Sequence, residues 1–125
     1  MRKINKVLIV EDDMTNTFLL KRFLEGIKVC TREQMVEAKD GKEAISMSND
    51  KDINLIFMDM RMPTMNGYDA TKEIKRIHPE IIIIGISGEL DQEKLKGTGI
   101  DDIIEKPVII KVLKEKVEKF FPPAE

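Results

Sequence analysis

Three continuous apolar runs constrain the fold of this 125-residue chain more than any other feature. They are KVLIV (6–10), NLIFM (54–58) and IIIIGI (81–86). Apolar runs of this length without polar alternation are typical of strands that are buried on both faces, as in a parallel sheet. Two further runs, QMVEA (34–38) and DIIE (102–105), complete a predicted set of five strands.

Helical patterns lie between and after the predicted strands. The first helix should begin near Thr15, and its pattern is carried by Phe18, Leu19, Arg22, Phe23 and Ile27. GKEAISMS predicts a short second helix, and GYDATKEIKRI a third that opens at the Asn66-Gly67 turn. ELDQEKLK predicts a short polar fourth helix. The last helix, residues 108–121, should carry an apolar stripe made of Ile109, Val112, Leu113, Val117 and Phe120.

Strand–helix alternation repeated five times predicts an α/β fold with a parallel sheet and helices on both faces. For five such units the common doubly wound strand order is 2-1-3-4-5. In this arrangement, ligands bind beyond the carboxyl ends of the strands, at the switch point between the first and third strands. The residues that follow these strands are therefore the candidate site.

Composition and charge exclude several classes of protein. The net charge of −2 argues against a nucleic-acid-binding surface, which needs a basic excess. Cys30 is the only cysteine, so the chain has no internal disulfide and no cysteine-based metal site. No apolar run approaches the roughly 20 residues of a membrane span, and the acidic residues after MRKINKVLIV do not fit a signal peptide. We therefore expect a cytoplasmic domain that binds neither membrane nor nucleic acid.

Carboxylates follow the first and third predicted strands. Glu11, Asp12 and Asp13 come directly after the first strand, and Asp59 after the third. If these strands are neighbours, their carboxylates would repel one another unless a hard cation lies among them. Oxygen ligands without histidine or cysteine suit Mg²⁺. Taken separately, each of these residues has a simpler interpretation as a turn or helix cap, with Asp13 or Thr15 capping the first helix.

Ser87 and Lys106 follow the fourth and fifth predicted strands, at the same edge of the sheet. A hydroxyl donor and an ammonium group suit a phosphoryl ligand. Phosphoryl transfer depends mainly on positioning and charge neutralisation, and an aspartate can itself accept the group as an acyl phosphate. Asp59 is the best candidate for the acceptor because it stands alone at the end of its strand.

The chain resembles the receiver domains of two-component response regulators over essentially its whole length. VLIVEDDMTN, IFMDMRMPTMNGYDAT, IGISGE and IIEKP match the motifs of that family in order and spacing. The resemblance implies a flavodoxin-like fold with five helices. It also implies Mg²⁺-dependent acceptance of a phosphoryl group from a phosphohistidine on a histidine kinase or a histidine phosphotransfer protein, and a downstream protein partner that the sequence does not identify.

The resemblance also implies roles for individual residues. Asp59 would be the phosphoacceptor, and Ser87 and Lys106 would contact the phosphoryl oxygens. The implied magnesium ligands are Asp59, Asp12 directly, Glu11 through water and the backbone carbonyl of Arg61.

Two features depart from the family pattern. Ile103 occupies the position, three residues before the lysine, where the family usually has a tyrosine or phenylalanine that swings inward on phosphorylation. The stretch between Ser87 and Lys106 is also a few residues short, which should trim the fourth helix. The phosphorylation residues are thus present, whereas the usual aromatic switch residue is absent.

The sequence predicts a single receiver domain over residues 1–125, without an output domain, because PPAE after the last helix leaves no room for one. Asn16 and GYDAT are also similar to receivers of hybrid kinases and phosphorelays, so an origin within a larger chain stays open. We expect no catalysis beyond the domain's own phosphorylation and slow dephosphorylation. One alternative is a degenerate receiver that works by docking alone. Another is an aspartyl-phosphate phosphatase, which usually needs a second aspartate where this chain has Arg61.

Overall fold

Five parallel strands form the centre of the structure, a computed structural model that describes residues 2–62 and 65–123. The strands are β1 (Lys6–Val10), β2 (Met35–Ala38), β3 (Ile53–Asp59), β4 (Ile82–Ser87) and β5 (Asp102–Glu105). Their order in the sheet is β2-β1-β3-β4-β5. The predicted parallel sheet and its strand order are confirmed, and no strand end differs from the prediction by more than one residue. Pro63 and Thr64 of the motif IFMDMRMPTMNGYDAT and the last two residues of PPAE lie outside the described residues.

Five helices cover the two faces of the sheet. They are α1 (Met14–Gly26), α2 (Gly41–Met47), α3 (Gly67–Ile77), α4 (Gln92–Leu95) and α5 (Ile110–Phe120), and a 3₁₀ turn (Arg32–Gln34) precedes β2. Leu24 of α1 and Leu113 of α5 are fully buried in one core, and Ala44 of α2 and Ile74 of α3 in the other. Among the helices of residues 2–62 and 65–123, none has both the length and the apolarity needed to cross a membrane.

Short polar side chains define where the helices begin. Asp13 caps α1 by accepting hydrogen bonds from the backbone N–H groups of Thr15 and Asn16, at 2.8 and 3.1 Å. Asn66 accepts from the N–H of Asp69 at 2.9 Å and caps α3 in the same way. Such caps satisfy backbone donors that have no partner inside the helix. They define the starts of α1 and α3, the helices that follow β1 and β3 along the chain.

The first predicted helix is present as α1, and two residues of its pattern, Phe18 and Leu19, are 51% and 44% exposed. The buried face of α1 instead contains Thr17, Leu20 and Leu24. Successive helical residues are rotated by about 100°, so a face centred on Leu20 and Leu24 leaves Phe18 and Leu19 on the other sides of the helix.

The last two helices also differ from the prediction. Ile109 is exposed because it is the N-cap of α5 and does not belong to the stripe that contains Leu113 and Val117. The fourth helix is shorter than its pattern, because Asp91 caps it and Lys96 is already extended. The expected trimming of this helix is thus confirmed.

Candidate functional site

Asp59 is the last residue of the central strand β3, and it is only 4% exposed. The backbone N–H of Arg61 donates to its Oδ1 at 3.0 Å. The ammonium Nζ of Lys106 lies 3.7 Å from the same oxygen. A buried carboxylate needs such partners to compensate for lost hydration, and the positive charge of Lys106 faces the oxygen of Asp59 directly.

Three carboxylates meet at the switch point of the sheet. Oxygens of Glu11, Asp12 and Asp59 lie within 4.8 Å of one another. Glu11 directly follows β1, and its backbone N–H donates to the carbonyl oxygen of Ala38 at 3.1 Å, which continues the pairing with β2. This hydrogen bond fixes the backbone from which the Glu11 side chain extends toward Asp59.

The carboxylates of the cluster repel one another, and a bound cation would reduce this repulsion. Partial burial and the hydrogen-bond interaction with Asp59 are the main causes that raise the pKa of Glu11 to about 7, although the hydrogen bond from the Asp13 N–H lowers it. The cluster therefore tends to hold a proton at neutral pH when nothing else supplies positive charge. An oxygen-only donor set that retains a proton for this reason fits a hard divalent cation such as Mg²⁺.

Ser87 and Lys106 complete the edge of the sheet beside Asp59. Ser87 is the last residue of β4 and is buried, and Ile86 before it pairs with Asp59 across the sheet. The backbone N–H of Lys106 donates to the Ser87 carbonyl oxygen at 2.9 Å. The ends of β3, β4 and β5 therefore bring a carboxylate, a hydroxyl and an ammonium group together, as the strand order predicts.

The start of α3 packs directly on the backbone of Asp59. A Cβ atom added at Gly67 would lie 2.5 Å from the carbonyl oxygen of Asp59 and 2.6 Å from the Cα of Met60. The N–H of Gly67 donates to the Met60 carbonyl oxygen at 3.2 Å. Only glycine allows this close approach, so the position of α3 is tied to that of Asp59.

A cavity of about 590 Å³ opens beside the carboxylates. Its apolar wall includes Leu19 and Phe23 of α1 and Val108 of the loop after β5. Leu19 lines this opening, which accounts for its exposure. The site is therefore open on the side of α1 and the 106–108 loop.

A charged pair lies on the rim of the site. Nη1 of Arg61 is 4.0 Å from Oε2 of Glu89, and both side chains are 88% exposed. The pair joins the loop after β3 to the loop after β4. At this distance and exposure it contributes little to folding stability.

Two features of the site region were not predicted from the sequence. The hydroxyl of Tyr68 accepts a hydrogen bond from the backbone N–H of Asp91 at 2.8 Å, and no local pattern marked this tyrosine. Ile103 packs inward, because its Cδ1 lies 2.7 Å from where a Cβ of Gly85 would be. Gly85 thus provides the space that Ile103 fills.

The fold and the site together define a doubly wound α/β domain with an acidic cluster at its switch point. Residues 7–118 match the family model of the response regulator receiver domain, and the chain belongs to this family. It is therefore a receiver domain of two-component or phosphorelay signalling, and the family resemblance and the flavodoxin-like fold are both confirmed.

Relatives of the chain include a transcriptional regulatory protein and a sensor kinase. The transcriptional regulatory protein CpxR of Escherichia coli is 36% identical over 108 residues, which cover 83% of this chain and 44% of CpxR. The autoinducer 1 sensor kinase/phosphatase LuxN of Vibrio harveyi is 32% identical over 110 residues, which cover 86% of this chain and 12% of LuxN. This chain thus spans less than half the length of either relative.

The fold is also similar to that of a receiver domain of known structure. That structure is the co-crystal structure of the Saccharomyces cerevisiae histidine phosphotransfer signaling protein Ypd1 and the receiver domain of its downstream response regulator Ssk1. The match has a TM-score of 0.80 and 30% identity, and it covers 94% of this chain and 88% of the matched chain.

Proposed function

We propose that this receiver domain accepts a phosphoryl group on Asp59 in a Mg²⁺-dependent reaction. The observation that carries the proposal is the convergence of Glu11, Asp12 and Asp59 within 4.8 Å, with Lys106 3.7 Å from Asp59, at one edge of the sheet. An acidic cluster beside a single cation at a sheet switch point suits both a divalent metal and a phosphoryl group.

Each residue has a distinct part in the proposed transfer. A carboxylate oxygen of Asp59 attacks the phosphorus atom, and the bond from phosphorus to the imidazole nitrogen of the donor histidine breaks. The N–H of Arg61 orients the Asp59 carboxylate. Lys106 compensates the charge of the transferred group, and the hydroxyl of Ser87 donates to one of its oxygens.

A bound Mg²⁺ would neutralise charge on the phosphoryl oxygens. The residues that would hold it are Asp59 and Asp12 directly, Glu11 through water and Arg61 through its backbone carbonyl. This assignment needs few protein ligands, as is usual for Mg²⁺.

The phosphoryl donor in this proposal is a histidine kinase or a histidine phosphotransfer protein. The 30% identity with the receiver domain of Ssk1, which is co-crystallised with the histidine phosphotransfer protein Ypd1, supports this class of donor. We further propose that residues 1–125 constitute one receiver domain that catalyses only its own phosphorylation and dephosphorylation. We also propose that it works in the cytoplasm, where kinases use ATP.

The two alternative functions fit the site less well. A domain that works by docking alone would not need a buried carboxylate beside a lysine and two further acids. A phosphatase would need a general acid two residues after Asp59, and the side chain there is the exposed cation of Arg61.

Intact mass after incubation with phosphoramidate and Mg²⁺ tests the proposal. The wild-type protein should gain the mass of one phosphoryl group, and hydroxylamine should remove it. Asp59→Asn should gain nothing, whereas Asp69→Asn, at an exposed aspartate in the first turn of α3, should behave like the wild type. Equal uptake by Asp59→Asn would show that the acceptor is a different residue, and no uptake by the wild type would favour docking alone.

A further inference from the structure

The segment that contains α4 is attached to α3 at both of its ends. At its start, the hydroxyl of Tyr68 accepts from the N–H of Asp91 at 2.8 Å. At its end, Nζ of Lys75 lies 2.7 Å from Oδ2 of Asp101. Helix α3 thus contacts residues 91–101 at both ends of the segment.

The attachment at Lys75 is the stronger of the two. Lys75 and Asp101 are both half-buried, and Asp101 Oδ2 also accepts from the N–H of Ile83 at 2.8 Å. Lys75 donates in addition to the carbonyl oxygen of Ile81 at 2.7 Å. Charged hydrogen bonds of this kind are stronger than a neutral one. The hydrogen bond between Tyr68 and Asp91 is therefore the one that breaks more easily.

Helix α4 has little stability of its own. It is a single turn, Gln92–Leu95, and its polar cap is the Asp91 side chain, which accepts from the N–H groups of Glu93 and Lys94 at 3.1 Å. Gly97 and Gly99 follow it at φ values of +76° and +79°, a backbone conformation that favours glycine and that does not continue the helix. Because one turn does not hold its shape in isolation, the place of α4 depends on its contacts with α3 and the core.

Both residues of the Tyr68–Asp91 hydrogen bond are linked to the site through neighbouring residues of the chain. Gly67, next to Tyr68, packs against the backbone of Asp59 and cannot shift toward it. On the other side, Ser87 lies only four residues before Asp91. A movement of Ser87 therefore reaches Asp91 directly, while Tyr68 stays in place.

We propose that the Tyr68 hydroxyl is a latch that holds Asp91 and α4 while Asp59 is unphosphorylated, and that phosphorylation releases it. The inference rests on the proposed phosphorylation of Asp59. The phosphoryl group attracts the hydroxyl of Ser87, and the loop of residues 87–91 follows and stretches the hydrogen bond to Tyr68. Tyr68 is thus a positioning residue. It couples the site to α4. Ile103, at the position of the family's usual aromatic switch residue, is packed over Gly85 and has no hydroxyl group.

Hydrogen exchange of the Asp91 amide, measured by NMR with and without phosphoramidate and Mg²⁺, tests the latch. One neutral hydrogen bond is worth roughly a factor of five in an equilibrium, so phosphorylation should speed exchange of this amide about five-fold. Tyr68 is the only tyrosine and the chain has no tryptophan, so intrinsic fluorescence should change at the same time.

Two variants remove one hydroxyl each from α3. Tyr68→Phe should show fast Asp91 exchange before phosphorylation, no further change after it, and up to about five-fold faster phosphorylation. Thr71→Val is the matched control, because Thr71 is buried and its hydroxyl has no hydrogen-bond partner among the described residues. It should behave like the wild type in both measurements, and a merely destabilising effect of Tyr68→Phe would not speed phosphorylation.

Intact mass separates failure of the latch from failure of the proposed function. If the wild type gains a phosphoryl group and the exchange rate of the Asp91 amide stays constant, the latch proposal is wrong and the proposed phosphorylation of Asp59 is retained. If the wild type gains no phosphoryl group, both proposals are wrong. The wild-type measurement alone decides this, so the test does not depend on how well Tyr68→Phe folds.

Discussion

Glu11→Gln should stabilise the metal-free protein at neutral and higher pH. Burial and the adjacent Asp59 raise the pKa of Glu11 from 4.5 to about 7. For a fully buried carboxyl this difference would amount to about 3 kcal/mol. Glu11 is only half-buried, so solvent screening reduces the gain from removing its charge to about 1 kcal/mol.

The gain should depend on pH in a defined direction. In the unfolded chain Glu11 titrates at its ordinary value near 4.5, whereas the folded, metal-free protein keeps the proton up to a pH of about 7. Between these values the folded state binds the extra proton, so this contribution is fully present below pH 4.5 and is lost as the pH rises through 7. Glutamine does not titrate, so the variant should gain little at pH 5 and most at pH 8.

Thermal melts in EDTA at pH 5 and pH 8 measure this difference. At pH 8 the Tm of Glu11→Gln should exceed that of the wild type by about 3–5 °C. Glu115→Gln, on the exposed side of α5, is the matched control for loss of one negative charge. Saturating Mg²⁺ should remove the advantage, since the cation then compensates Glu11. A variant no more stable than the wild type at pH 8, or equally stabilised at pH 5, would refute the repulsion argument.

Two further perturbations test the packing of α3 and the charged pair on the rim. Gly67→Ala should destabilise the fold by about 2–3 kcal/mol in urea melts, because the added Cβ would lie 2.5 Å from the carbonyl oxygen of Asp59. Gly26→Ala, with open space around the added Cβ, should be neutral or stabilising, and equal losses would contradict the packing argument. Arg61→Ala and Glu89→Ala should each speed dephosphorylation several-fold, about 1 kcal/mol in barrier, with unchanged Tm. The double variant should be no faster than the faster single, whereas fully additive rates would exclude a shared gate over the site.

The sequence alone determined the strands, most helix starts and the membership of the acidic cluster. The apolar runs that became β1, β3 and β4 are local patterns, and a cap such as Asp13 acts within three residues of its own position. Asp59 and Lys106 were expected to meet because the carboxyl ends of parallel strands share one edge of a sheet. That expectation needed only the order of the strands.

The tertiary structure decided which surfaces are covered and which distant atoms touch. The exposure of Phe18 and Leu19 depends on how α1 is rotated against the sheet, and an apolar pattern does not specify that angle to within one residue. The hydrogen bond from Asp91 to Tyr68 joins residues that are 23 positions apart. It exists because Gly67 lets α3 approach Asp59 and because a short loop returns from β4 to α4. No local pattern encodes such a contact, since its geometry is set by the packing of several elements at once.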